Sequence, residues 1–169
     1  MFRSFIAIVS FAIMALPPLV LAQNARGTAE TSLSGKKVSV EYGRPGLKGR
    51  DVLSEAPVGT IWRTGADKST TFTTEADLSV GGKTIPQGSY SLFTRRVDDK
   101  NWALIFNKQT GQWGTEHDAG QDLAQVPLTW EQKASGPDPF TIELSSAGAK
   151  GEMRMSWGKH VLALPLQVK

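Results

Sequence analysis

The chain has 169 residues, 40% apolar and 21% charged, with a formal net charge of +3. That size and balance describe one globular domain. They exclude a mainly disordered chain, a coiled coil and a multi-span membrane protein, and the small basic excess argues against a dedicated nucleic-acid binder. Cysteine is absent, which excludes disulfides, zinc–thiolate sites, iron–sulfur clusters and a cysteine nucleophile.

Residues 1–22 carry one charge, Arg3, then an apolar run from Phe5 to Leu16 that ends at Pro17-Pro18. Val20-Leu21-Ala22 places small residues at an exit site. A positive end, a short apolar core and a small-residue exit describe a signal peptide, so the mature chain is expected to start at Gln23 and to be periplasmic or secreted. The apolar run is too short to span a bilayer comfortably, so no stable membrane insertion is expected after cleavage. Removing Arg3 leaves 18 basic and 16 acidic residues, a net +2.

Residues 23–35 are small and polar and read as a flexible N-terminal arm. From residue 36 to 169 the pattern predicts a single domain with a dominant period of two. Val38, Val40 and Tyr42 alternate with Ser39 and Glu41, and Phe72 sits in a Thr-rich run. Leu78 and Val80 lead into Gly81-Gly82, a hairpin signal, and the chain resumes with Lys83 to Ile85. Ser89 to Arg95, Asn101 to Asn107, Val126 to Trp130, Phe140 to Leu144, Met153 to Trp157 and His160 to Leu166 complete about nine or ten short strands. No stretch keeps helical spacing for three turns; Asp51 to Ala56 has room for one. The expected fold is an all-β antiparallel sandwich with jelly-roll or Greek-key connections, and a closed β-barrel is the alternative. Gly43 to Thr60 and Lys108 to Leu123 escape the alternation. Loops of that length tend to be functional, so they are expected to form the rim of a site.

Two runs are distinctive: Tyr42-Gly43-Arg44-Pro45 followed by Gly49-Arg50 and Trp62-Arg63-Thr64-Gly65-Ala66-Asp67, and the stretch from Gly81 to Phe93. With Asp122 and the closing Trp157-Gly158-Lys159 they make the chain resemble the bacterial family filed as domain of unknown function 2911, over roughly residues 36 to 167. The resemblance implies a secreted or periplasmic protein and carries over no catalytic residue. It also implies that the position of His117 is commonly aromatic in relatives, which argues against a catalytic role there.

The residues themselves offer few chemical motifs. Gly82-Lys83-Thr84 fails as a phosphate loop, because position 77 is Asp where that motif needs Gly. Glu116-His117-Asp118 with Asp122 fits no calcium-loop spacing and reads as a solvated acidic loop; His160 is about forty residues away and offers no shared metal. No Gly-x-Ser-x-Gly is present. Trp102, Trp130 and Trp157 alternate with apolar residues and read as core. Trp62 faces either way, and Trp113, between glycines, is the best candidate for stacking on a ligand ring. The strongest constellation is Arg44, Lys48, Arg50 and Arg63, with Lys68, around the first long loop. Arginine presents a planar fork of donors matched to carboxylate or phosphate. Internal pairing with Glu41, Asp51, Glu55 or Asp67 is the competing explanation.

The residues therefore point to an exported, non-enzymatic binding or envelope-associated module. Its ligand is expected to be an anionic small molecule or a glycan, held by Tyr42, Arg44, Arg50, Trp62, Arg63, Asp67 and Trp113. No catalytic residue, metal or cofactor is assigned. A hydrolase or isomerase acting on a small or carbohydrate substrate in the same cleft is the alternative, and a structural protein using a sheet edge is a third reading.

Overall fold

A computed structural model describes residues 24–169. The signal peptide expected at 1–22 lies outside the described residues. Twelve strands form one antiparallel sheet: β1 (Arg26–Leu33), β2 (Lys36–Gly43), β3 (Ile61–Trp62), β4 (Thr70–Thr74), β5 (Leu78–Val80), β6 (Lys83–Ile85), β7 (Gly88–Arg96), β8 (Trp102–Asn107), β9 (Asp122–Gln132), β10 (Thr141–Ala147), β11 (Lys150–Trp157) and β12 (His160–Val168). The order along the sheet is β1-β2-β4-β7-β8-β9-β12-β11-β10. Short β3 pairs with β7, and the β5–β6 hairpin joins β12. A single helical turn, α1 (Val52–Glu55), falls where the sequence leaves room for one. Among the described residues no helix is long and apolar enough to cross a membrane.

The sheet curls until its edge strands β1 and β10 lie against each other, so the all-β antiparallel fold takes a nearly closed, barrel-like form. β9 makes the corner. It pairs with β8 as far as Leu128 and with β12 from Thr129 onward, handing the ladder from one side of the strand to the other. Across the seam, Tyr42 Oη donates to the Ile142 carbonyl (3.3 Å) and the Ser34 amide to the Gly148 carbonyl (2.9 Å). Alternation fills the interior: Val38, Val40, Phe72, Leu92, Leu104, Phe106, Met153 and Leu164 are fully buried in one cluster. Phe72 and Phe106 meet edge to face at 5.4 Å, the arrangement ring quadrupoles prefer. The Gly81-Gly82 hairpin is confirmed, with both residues at positive φ as a tight two-residue turn requires.

One strand was not legible. Residues 26–33, expected within a flexible arm, form β1 and pair with β2 along their whole length. The sequence RGTAETSL hides this because an edge strand at a seam buries little: only Leu33 is fully buried.

β8 is buried on both faces, which explains the second long loop. Trp102, Leu104 and Phe106 face the core cluster, while Ile105 and neighbouring Phe93 of β7 lie outside it. Residues 108–121 cover that outer face. His117 packs on Phe93 (4.6 Å between ring centres), Gln112 Oε1 accepts from the hydroxyls of Ser69 and Ser91, and Asn107 donates to the Asp118 carbonyl.

Candidate functional site

The first long loop is tied to the barrel at three places. The Phe140 amide donates to the Pro45 carbonyl, and the Leu47 amide to Asp138 Oδ1 at 2.9 Å. The third tie is a side-chain cluster. Asp51 caps α1, and its carboxylate also takes Lys159 Nζ at 2.7 Å and His160 Nε2 at 2.6 Å. His160 opens β12 and is 2% exposed. Burial pushes the Asp51 carboxyl up, but hydrogen bonds from Lys159, His160 and Ser54 outweigh it and hold the group well below the usual carboxylate range.

Ser54 Oγ lies 3.2 Å from the same His160 Nε2, so Ser, His and Asp stand together. The wiring is not that of a nucleophilic triad. Trp130 Nε1 donates to His160 Nδ1 at 3.1 Å, and an indole nitrogen can only donate. Nδ1 is therefore the acceptor, and the ring proton sits on Nε2, where Asp51 receives it. A nitrogen that already holds a proton cannot take one from Ser54, whereas a triad needs the carboxylate on Nδ1 and a free Nε2. The cluster is a clamp that fastens loop to barrel across 109 residues of sequence.

The clamp sets the rim on which the arginines stand. Three adjoining hollows run along it. The first, about 370 Å³, is lined by Leu47, Arg50, Asp51, Trp157 and Lys159 among others. The second, about 300 Å³, shares Leu47, Arg50 and Trp157 with it and adds Lys48, Trp62 and Arg63. The third, about 360 Å³, shares Trp62 and Arg63 with the second and lies between β3 and the second long loop, with Ile61, Phe93, Thr115 and His117.

The expected ligand residues separate on this rim. Tyr42 is 3% exposed and packs edge to face on Phe140, so it is a core residue rather than a ligand contact. Arg44 lies across the seam, donating to the Phe140 carbonyl (3.3 Å) and Thr141 Oγ1 (3.2 Å), and it lines none of the three hollows. Gly27 makes room for this crossing: a Cβ there would meet both Arg44 Cδ and Tyr42 Cζ at 2.9 Å. Arg50 pairs with Glu55 at 3.3 Å in an exposed bridge, the kind that contributes little and yields easily. Asp67 accepts from the Asn24 amide at 2.7 Å and so secures the chain just before β1. Trp113 is 41% exposed and lines none of the hollows; its backbone bridges to Lys68, which pins the loop.

Arg63 differs from all of these. It follows β3, lines the second and third hollows, and has no hydrogen-bond or ion-pair partner among the described residues. None of its nitrogens is buried and unsatisfied, so the guanidinium is not sealed from solvent. Its stem is held by Gly114, where an added Cβ would meet Arg63 Cδ at 2.5 Å and the Asp67 carbonyl at 2.7 Å. On one side Trp62 stacks on Trp157 with ring centres 5.3 Å apart. On the other stands His117, whose Nε2 is 2.8 Å from Asp122 Oδ1; Asn107 donates to the same oxygen at 2.7 Å. The sequence reading of 116–122 as a solvated loop is thus corrected at His117, which is largely enclosed by Phe93 and Asp122.

The chain belongs to the family described as Protein of unknown function (DUF2911), which matches residues 24–166. No curated protein and no solved structure matches the chain. The family match begins two residues before β1, so that strand belongs to the shared domain, beyond the span that the motifs alone suggest.

The clamp residues Ser54, Trp130 and His160 were not readable as a group. Asp51 before Val-Leu-Ser-Glu is a cap signal, and Trp130 and His160 lie in alternating runs, but their meeting depends on how the sheet closes. His117 and Asp122 are five apart, a separation that only the turn at Ala119–Gln121 converts into contact.

Proposed function

We propose that this protein is an exported, non-enzymatic binding module whose ligand is an anionic small molecule or glycan held at Arg63. One observation carries the reading: a guanidinium fixed at a strand end, open to two adjoining hollows, with no partner among the described residues. Structural arginines use their donors internally, as Arg44 does at the seam. An arginine that keeps its fork free beside Trp62, with Lys48 and the loosely paired Arg50 nearby, is equipped to take a carboxylate or phosphate. Export rests on the sequence of residues 1–22.

Calorimetric titration of the purified protein with galacturonate, citrate and inorganic phosphate tests this. Binding of at least one anion should weaken about 10–100-fold in Arg63→Ala, the range for a charge-assisted hydrogen bond, and measurably in Arg63→Lys. Unchanged affinity in a folded Arg63→Ala protein, or no binding by wild type, would sink the proposal.

A hydrolase or isomerase acting on a small or carbohydrate substrate in the same cleft is the second reading. The feature that favours it is the Asp122-held imidazole of His117 in a hollow with Arg63. Turnover that falls about 10²–10⁴-fold in His117→Gln would move the assignment to an enzyme.

A further inference from the structure

We infer that the ligand of the third hollow is a hydroxycarboxylate of sugar-acid size, with its carboxylate on Arg63 and a hydroxyl donating to His117 Nδ1. This rests on the reading of Arg63 as an anion site and adds the ligand's chemical class.

The polar groups of the hollow differ in kind. Arg63 can only donate, and so can Trp62 Nε1, which has no partner among the described residues and is not buried. His117 supplies the opposite function. Its Nε2 faces Asp122 Oδ1, an acceptor, so Nε2 bears the hydrogen. The singly protonated ring then has a lone pair on Nδ1, which has no partner among the described residues and is not buried. The residues lining the hollow therefore include a fork of donors and one acceptor. A ligand that satisfies both carries an anionic acceptor pair and a hydroxyl donor.

Phosphate fits less well. At neutral pH much of it is a dianion, and Arg63 is the only lysine or arginine among the lining residues of this hollow. A neutral sugar leaves the fork without an anion. The remaining wall suits a sugar ring. Ile61, 41% exposed, offers apolar surface to ring C–H groups, and about 360 Å³ lies near the lower end for small-molecule sites, with room for a monosaccharide.

The test is a ligand series on wild type and His117→Phe, a change that keeps a ring against Phe93 and removes the acceptor. Calorimetry would compare galacturonate, cyclohexanecarboxylate, galactose, inorganic phosphate and trigalacturonate. In wild type, galacturonate should bind about fivefold more tightly than cyclohexanecarboxylate, the worth of one hydrogen bond, and galactose at least tenfold more weakly than galacturonate. In His117→Phe, galacturonate should fall to the level of cyclohexanecarboxylate while the latter is unchanged. Trigalacturonate binding more tightly than the monomer would place the sugar acid in a glycan, and equal or weaker binding would place it free in solution; both support the class. Equal binding of galacturonate and cyclohexanecarboxylate by wild type, or tighter binding of phosphate, would overturn the inference and leave the anion site standing. Loss of every Arg63-dependent carboxylate interaction would instead remove the anion site itself. The wild-type series decides even where the variant fails to fold.

Discussion

Replacing Trp130 with Phe removes one donor from the clamp and nothing else that is polar. In the wild type, Trp130 Nε1 meets His160 Nδ1 at 3.1 Å, and His160 is 2% exposed, so the orphaned nitrogen would have no water to turn to. A buried acceptor left unpaired costs about 1–3 kcal/mol. The smaller ring also loses part of its contact with Trp102, 6.3 Å away, so a total near 2 kcal/mol is expected. For a domain of this size that corresponds to a fall in Tm of about 4–8 °C. Thermal unfolding by circular dichroism measures it. Nitrogen-15 NMR of the imidazole supplies a second readout that simple loss of packing would not move: the wild type should show His160 protonated on Nε2 and bare on Nδ1. A variant melting within 1 °C of wild type, or a wild-type ring protonated on Nδ1, would refute the clamp and reopen Ser54 as a nucleophile.

Three other outcomes follow from the same geometry. Because the Asp51 carboxyl is held below the ordinary range in the folded chain, its stabilising contribution is present above the unfolded value, about 3.9, and is lost as the pH falls toward the folded one. The Tm gap between wild type and Asp51→Asn should thus narrow from pH 5 to pH 2; a gap that widens contradicts the assignment. Gly43→Ala should lower urea stability by about 3 kcal/mol, because the new Cβ would collide with the Ala66 carbonyl oxygen, a backbone atom that cannot step aside; a loss under about 1 kcal/mol would show that it can. Intact mass of protein from its native host should begin at Gln23, and a chain retaining Met1 in the membrane fraction would rule out cleavage there.

The fold was legible wherever one face of a strand is wet and the other dry. Val38 to Tyr42 and Met153 to Trp157 show that alternation within strands of the sheet, and Phe140 to Leu144 shows it across the start of β10. β1 escaped because Gly27, Ala29 and Thr31 are only half-buried at the seam, so burial there did not demand apolar side chains. The rim was harder. Arg44 and Arg63 are the same residue type, both next to a strand end and flanked by glycine or threonine. Their different fates come from the partner across the seam: Arg44 meets the carbonyl of Phe140, brought there by barrel closure, and Arg63 meets no such group. The acids Glu41, Asp51, Glu55 and Asp67 were all credible partners in sequence. In space Asp51 turns to Lys159 and His160, Asp67 to Asn24, and Glu55 reaches Arg50. Which acid neutralises which base is a tertiary outcome, and so is which of Arg44, Arg50 and Arg63 is left without a partner.

The Nε–Hε resonance of Arg63 reports on that leftover fork directly. Galacturonate added to nitrogen-15-labelled protein should shift the Arg63 cross-peak saturably, with Trp62 Nε1–H moving at the same ligand concentration and the Arg44 cross-peak staying in place at the seam. A shift confined to Arg50 or Arg44, or no shift of Arg63 with millimolar galacturonate, citrate or phosphate, would contradict an anion site at the end of β3.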